Sequence, residues 1–210
     1  MSDGQGTQAG SFAELEDVAA LEELSERHWR LEQDQRPLSL RASLVPMLKK
    51  QPAPWVAGIA RALAIKAHGK TPQITEIGRT LADPFSLTHI VERLPAVARR
   101  VLKTVLNRDG WVPYAALVQT FGDDSGDGWF WAQNPPASPI GVVRLHGLLF
   151  VGTITRNAHT LAIALIPREV REALTKILSQ EDDTELATPS RDMLLEAVLK
   201  EVSAYFNEID

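Results

Sequence analysis

Two stretches of this chain, residues 148–154 (LLFVGTI) and 160–165 (TLAIAL), are dense in β-branched and large apolar side chains. Arg156-Asn157-Ala158-His159 joins them, so the pair reads as a β-hairpin. Trp111-Val112 has room for one further short strand. Elsewhere apolar residues recur at helical spacing, cut by proline and glycine. The hairpin therefore confines the fold to one that is mostly helical with a small β element.

The helices follow from their punctuation. Ser11 is a candidate N-cap, with Glu14 completing a capping box, for a helix running to about Gln35. Arg36-Pro37 stops it. Residues 38–50 read as a helix bent at Pro46. Pro54 opens WVAGIARALAIKAHG, ended by Gly69. QITEIGRTLA follows Thr71-Pro72, and a short helix occupies about residues 86–93. Pro95 starts a long helix that places Leu94, Val97, Ala98, Val101, Leu102 and Val105 on one face and Arg99, Arg100 and Lys103 opposite. Pro113 starts YAALVQTF, Ser138-Pro139 caps and starts IGVVRLHGL, and Pro167 starts REVREALTKILSQ. In the last predicted helix, residues 193–206, Leu195, Val198, Leu199, Val202, Tyr205 and Phe206 form an apolar stripe.

This divides the chain into a disordered tail (1–10), a helical N-terminal region (11–93), a C-terminal domain (94–180), an acidic linker (181–190) and an amphipathic helix (191–210). The N-terminus, MSDGQGTQAG, lacks the basic and apolar regions of a signal peptide. No apolar run approaches the roughly 20 residues that span a bilayer. The chain has no cysteine, which excludes disulfides, thiolate metal sites and a cysteine nucleophile. A soluble, cytoplasmic protein that does not engage membranes is expected.

Helix, short strand, helix, helix and hairpin over residues 94–166 is the element order of a winged helix. The segment resembles the winged-helix segments in the non-catalytic parts of XPB-like bacterial helicases and their uncharacterised relatives. The resemblance implies a winged helix-turn-helix C-terminal half packed with the helical N-terminal half. It also implies DNA binding, with IGVVRLHGL as the helix facing the major groove and Arg144 and His146 as its two polar readers. Arg156, with Asn157 and His159, would sit on the wing. Upstream, ARALAIKAHGKTPQITEIGRTL (residues 60–81) resembles a SAP module. Lys66, Gly69, Lys70 and Arg79 fall where that family places its turn and basic contacts, and Pro72 directly after the turn departs from its pattern.

Charge is distributed unevenly. Residues 1–35 carry nine acidic and two basic side chains, residues 36–110 thirteen basic and four acidic, and residues 111–210 seven basic and fourteen acidic. A basic middle between acidic flanks points to a polyanion-binding face, with Lys49, Lys50, Arg61, Lys66, Lys70, Arg79, Arg99, Arg100, Lys103 and Arg108 as phosphate contacts beside Arg144 and Arg156. The competing reading pairs this segment with the acidic N-terminal helix of the same chain.

FGDDSGDGWFW, residues 121–131, lies between the second and third helices of the proposed winged helix. Asp123, Ser125, Asp127 and Gly128 follow the first half of a calcium loop. Asn134 then stands where a bidentate glutamate belongs, and Pro135-Pro136 blocks the exiting helix. No histidine, lysine or second acidic cluster lies nearby in sequence to split carboxylate pKa values for catalysis. The structural reading is the stronger one: a lengthened turn whose aspartates cap local amides, with Trp129, Phe130 and Trp131 folding back or docking a protein. The five histidines show no metal-ligand spacing, and no phosphate-binding glycine loop or nucleophile elbow is present. The expectation is a non-enzymatic, cofactor-free binding protein for DNA. The alternative is a protein-interaction adaptor that docks a partner or a second copy through its terminal helices.

Overall fold

The computed structural model describes residue 21, residues 24–156 and residues 158–179, the side chain of Arg156 excepted. The predicted tail, acidic linker and C-terminal helix, with the start of the first helix, lie outside the described residues. Helix α1 (residues 24–34) is followed by α2 (Leu44–Lys50), α3 (Ala53–Ala62), α4 (Lys70–Ala82), α5 (Pro84–Arg93) and α6 (Ala96–Leu106). Strand β1 (Trp111–Pro113), α7 (Tyr114–Phe121), α8 (Pro139–Leu145), β2 (Phe150–Arg156), β3 (His159–Leu165) and α9 (Arg168–Ser179) complete the order. The protein is mostly helical with one small sheet, as expected. Among the described residues, no helix is long and apolar enough to cross a membrane.

The hairpin pairs antiparallel from Phe150 opposite Leu165 to Arg156 opposite His159. The short strand joins it, Trp111 opposite Leu165 and Pro113 opposite Ile163, giving a three-stranded sheet in the order β1-β3-β2. Proline is tolerated in β1 because that strand is an edge, where one side of the ladder has no partner.

The other edge is occupied as well. Residues 38–43 are not helical. Thr153 N donates to Arg36 O at 3.0 Å and Leu38 N to Thr153 O at 2.8 Å, so the chain crosses β2 beside Pro37. Glycine at 152 permits the crossing: a Cβ there would stand 2.5 Å from Leu38 Cγ and 2.6 Å from Arg36 O. The helix expected from Leu38 therefore starts only at Leu44. This places Pro46 in the first turn, where its missing N–H has no intrahelical acceptor to lose and no bend is needed. Ser43 does not cap α2 with its own side chain. Leu44 N instead donates to Glu169 Oε2, 3.0 Å away on α9.

Helix α3 also ends earlier than predicted, at Ala62 and not Gly69. Ala64 adopts a left-handed φ of 55°, and Ile65 N reaches back to Ala60 O at 2.8 Å, a six-residue closure of the helix end. Helix α4 begins at Lys70, so Pro72 falls in its first turn and is accommodated like Pro46. On α6, Ala98, Val101, Leu102 and Val105 are buried as predicted, but Val97 is exposed.

One continuous apolar core runs from Leu44 to Leu178, with Trp55, Ile59, Ile77, Leu102, Leu117, Ile140, Leu149 and Leu174 among its buried members. The predicted boundary between residues 93 and 94 does not divide it. Arg171 of α9 spans both sides of that boundary: its Nε donates to Ile166 O, Nη1 to Asp109 O and Nη2 to Leu40 O.

Candidate functional site

The predicted phosphate contacts fall in two groups, the first joined by Arg36, which sequence reading did not single out. The first surrounds the C-terminal end of α2, whose last turn carries Lys49 and Lys50. Arg36 Nη1 donates to Lys50 O at 3.0 Å, Lys50 Nζ to Pro37 O at 3.3 Å, and Lys70 Nζ to Lys49 O at 2.9 Å. A helix C-terminus presents unpaired carbonyls and a partial negative charge, and this one gathers cations from three segments of chain. Each ammonium has three donors and the guanidinium five, so a single carbonyl bond leaves most of them to solvent. Arg36, Lys49 and Lys50 are exposed and Lys70 is half-buried. Lys66, in the α3–α4 connection, is exposed. Arg61 is exposed and donates to Ala132 O at 2.8 Å, and Arg79 pairs with Glu76 on the open face of α4.

The second group, Arg99, Arg100 and Lys103, sits half-buried on α6. Arg99 Nη1 donates to Glu92 O and Leu94 O, capping the end of α5. Arg100 keeps its Nε buried without a hydrogen-bond partner. Arg156 lies at the end of β2.

Arg144 is not a reader of base edges. It is 3% exposed, and four of the seven other residues of α8 and its cap (Ile140, Gly141, Val143 and Leu145) are buried with it against α3, α6 and α7. Its Nη2 lies 2.5 Å from Asp34 Oδ1, and its Nη1 lies 2.7 Å from Asp124 Oδ2 and 3.1 Å from Asp34 Oδ2. Arg30 Nη2 stands 2.6 Å from the same Asp124 oxygen, while Tyr114 Oη donates to the other. Two guanidinium groups thus meet two carboxylates with no net charge, which is what a buried ionic cluster requires. His146 is half-buried, with Nδ1 2.8 Å from Val142 O, and burial lowers its pKa.

Aromatic rings close over this cluster. Trp55 and Trp131 stack with centroids 4.3 Å apart, Trp129 tilts against Trp55 at 5.2 Å, and Trp29 tilts against Trp129 at 5.7 Å. The Arg144 guanidinium lies 4.9 Å from the Trp55 ring centroid, within cation–π range. Trp131 is therefore buried core, and Trp129 half-buried. Of the three predicted docking aromatics only Phe130, at 41% exposure, faces solvent.

Each aspartate of FGDDSGDGWFW bonds protein donors. Asp123 Oδ1 accepts from Ser125 N and Oγ, a side-chain turn. Asp124 is the hub of the buried cluster. Asp127 Oδ1 accepts from Ala137 N and Ser138 N and its Oδ2 from Ser138 Oγ, which in turn accepts from Gly141 N and caps α8. Their oxygens are committed to protein donors in three separate places. Among the described residues, no three histidine, aspartate or glutamate side chains are grouped to hold a metal ion.

The two carboxylates of the cluster, Asp124 buried and Asp34 half-buried, respond oppositely to their surroundings. Burial opposes ionisation of Asp124, but Arg144 and Arg30 outweigh it and hold its pKa at about 2. For Asp34 burial dominates the pull of Arg144, and its pKa is raised. Burial and the Asp124 carboxylate raise the Tyr114 phenol further above its ordinary value. Sequence reading missed Arg30, Asp34, Trp55 and Tyr114 as members of this cluster. The one available signal was Arg144 itself, the sole formally charged residue in an otherwise apolar helix.

Comparison with family models, curated proteins and solved structures finds no match to this chain. Function therefore rests on the geometry above.

Proposed function

We propose that the chain is a non-enzymatic, winged-helix-like protein that holds a polyanionic backbone, duplex DNA first, on the cations around α2 and α4. The order α6-β1-α7-α8-β2-β3, with β1 beside β3, supports the winged-helix reading. The helix–turn–helix of α3 and α4, with Lys66 and Lys70 at its turn, supports a basic contact surface upstream of it. The observation that carries the proposal is the charge left at the surface. Arg36, Lys49, Lys50 and Lys70 converge on one helix end, and the bonds of Arg36, Lys50 and Lys70 go to carbonyl oxygens that carry no formal charge. The acidic α1 turns Glu26 and Asp34 toward the insertion and α8, where they meet Trp129 N and Arg144.

With α8 buried, the binding is to phosphate and not to base edges, so it carries affinity and salt dependence without sequence preference. Fluorescence anisotropy with two duplexes of unrelated sequence, at about 50 and 200 mM salt, tests this. Equal affinities that fall together as salt rises are expected. No binding at about 50 mM, or binding indifferent to salt, overturns the proposal. A protein-interaction adaptor is the second reading, favoured by apolar side chains left at the surface: Phe85 at 83% exposure and the outward leucines of α1.

A further inference from the structure

Helix α1 is amphipathic in the unusual sense. Its charged face is turned inward: Glu26 accepts from Trp129 N, Arg30 bonds Asp124 and Asp127 O, Gln33 bonds Lys50 O, and Asp34 bonds Arg144. Its apolar face is turned outward. Leu21, Leu24 and Leu31 are 63%, 61% and 62% exposed, and with His28 they recur at spacings of three, four and three residues. That spacing makes a single seam on a helix, of the kind that takes a second helix against it. An exposed leucine row of this kind implies an occupant.

We infer that the seam of α1 is the docking site for the chain's own C-terminal stripe. Leu195, Val198, Val202 and Tyr205 repeat the same three-four-three spacing. At the 1.5 Å per residue of an α-helix, the ten-residue intervals from Leu21 to Leu31 and from Leu195 to Tyr205 would each span about 15 Å, so the two sequence patterns match in length. The fifteen residues 180–194 that follow α9 reach at most about 50 Å when extended, enough to cross a domain of this size. A second copy joined through α1 alone fits less well. Leu21, Leu24, His28 and Leu31 are far fewer than the roughly 20 residues a side of a stable dimer.

The absence of cysteine makes the test direct. Leu24 faces Val198 if the helices run parallel and Val202 if they run antiparallel. Full-length Leu24→Cys/Val198→Cys and Leu24→Cys/Val202→Cys are oxidised mildly, beside Leu24→Cys/Glu196→Cys, whose second cysteine lies off the stripe. One of the first two should close an intrachain disulfide, seen as a faster monomer band without reductant, while the control stays reduced. Far-UV circular dichroism melts of each reduced variant verify that folding is intact. Disulfide-linked dimers would overturn the inference in favour of a second copy. Closure in neither pair, or equal closure in the control, would overturn it outright.

Discussion

Trp131 lies face to face with Trp55, their ring centroids 4.3 Å apart and their planes 4° from parallel. The contact joins the insertion to the middle of α3, and Gly58, one turn beyond Trp55, is what lets the insertion come so close. A Cβ at position 58 would stand 2.3 Å from Trp131 Cβ and 3.0 Å from its carbonyl carbon. Neither atom is the end of a flexible side chain, so backbone must shift. Gly58→Ala, in spite of alanine's better helix propensity, should cost about 1–3 kcal/mol. Urea unfolding followed by tryptophan fluorescence checks this, and a neutral or stabilising result would mean that the insertion is loosely seated.

The crossing of residues 36–38 over β2 predicts a similar sensitivity at Gly152. Any side chain there meets Arg36 O, a backbone atom, at 2.6 Å. Gly152→Val should displace the crossing chain and release the two backbone hydrogen bonds at Thr153. Hydrogen exchange reads the effect locally: protection of Leu38 and Thr153 amides should fall while that of Ala164, paired between β1 and β2, remains.

Asp124 holds two guanidinium groups, and removing it strands both in a buried site. Asp124→Ala should destabilise the fold by about 3–5 kcal/mol, the penalty of uncompensated buried charge. Arg144→Met, which fills similar space without charge, should cost less, because Arg30 still neutralises Asp124 and Asp34, left without its guanidinium, is partly exposed and has a pKa already raised toward protonation. In the proposed DNA assay, folded Arg144→Met should bind as the parent does. Loss of binding in a folded variant would return Arg144 to the interface.

The pH dependence of stability should carry the signature of the same cluster. Asp124 drops from an ordinary 3.8 to about 2 in the fold. Its stabilisation is therefore present above 3.8 and is lost as pH falls toward 2, about 2 kcal/mol across that window. Asp34 works in the opposite sense. Its folded pKa is raised, so protonation favours the fold, and its contribution grows as pH falls through that value. Urea midpoints should decline below pH 4 in the parent protein. Asp124→Asn should flatten that decline, while Asp34→Asn should leave it in place and instead remove the gain that accrues above 3.8, as pH falls through the raised value of Asp34.

Legibility in sequence followed the range of the forces involved. YAALVQTF became α7 with its predicted bounds because its start at Pro113 and its end at Gly122 are local. The hairpin was readable for the same reason. Residues 38–43 were misread because Leu38 N bonds Thr153 O and Ala42 O accepts from Arg168 N, each partner more than a hundred residues away, and no local pattern encodes those pairings. Arg144 was misread on the same account: an arginine on an apolar helix looks like a surface reader until Asp34 and Asp124 arrive. Trp131 was assigned to docking together with Phe130, although only tertiary contact with Trp55 separates the two neighbours. The insertion's aspartates were read correctly as structural, but which of them would cap and which would be buried depended on the fold.

The two groups of basic residues should respond differently to substitution, and the difference decides where a polyanion sits. Lys49→Ala/Lys50→Ala/Lys70→Ala removes three cations, of which Lys50 and Lys70 donate to carbonyl oxygens and Lys49 is exposed on the last turn of α2. If each neutralises one phosphate, the slope of log affinity against log salt should fall by about 0.9 per lysine, with little change in stability. Arg99→Ala/Arg100→Ala/Lys103→Ala acts on half-buried side chains, one of which caps α5 through Glu92 O and Leu94 O. That variant should lose stability first, by about 1–3 kcal/mol for the stranded carbonyls, with a smaller change in salt slope. Anisotropy titrations at three salt concentrations, paired with urea melts, separate the two effects. A slope unchanged by the α2–α4 substitutions but halved by those on α6 would move the interface to α6.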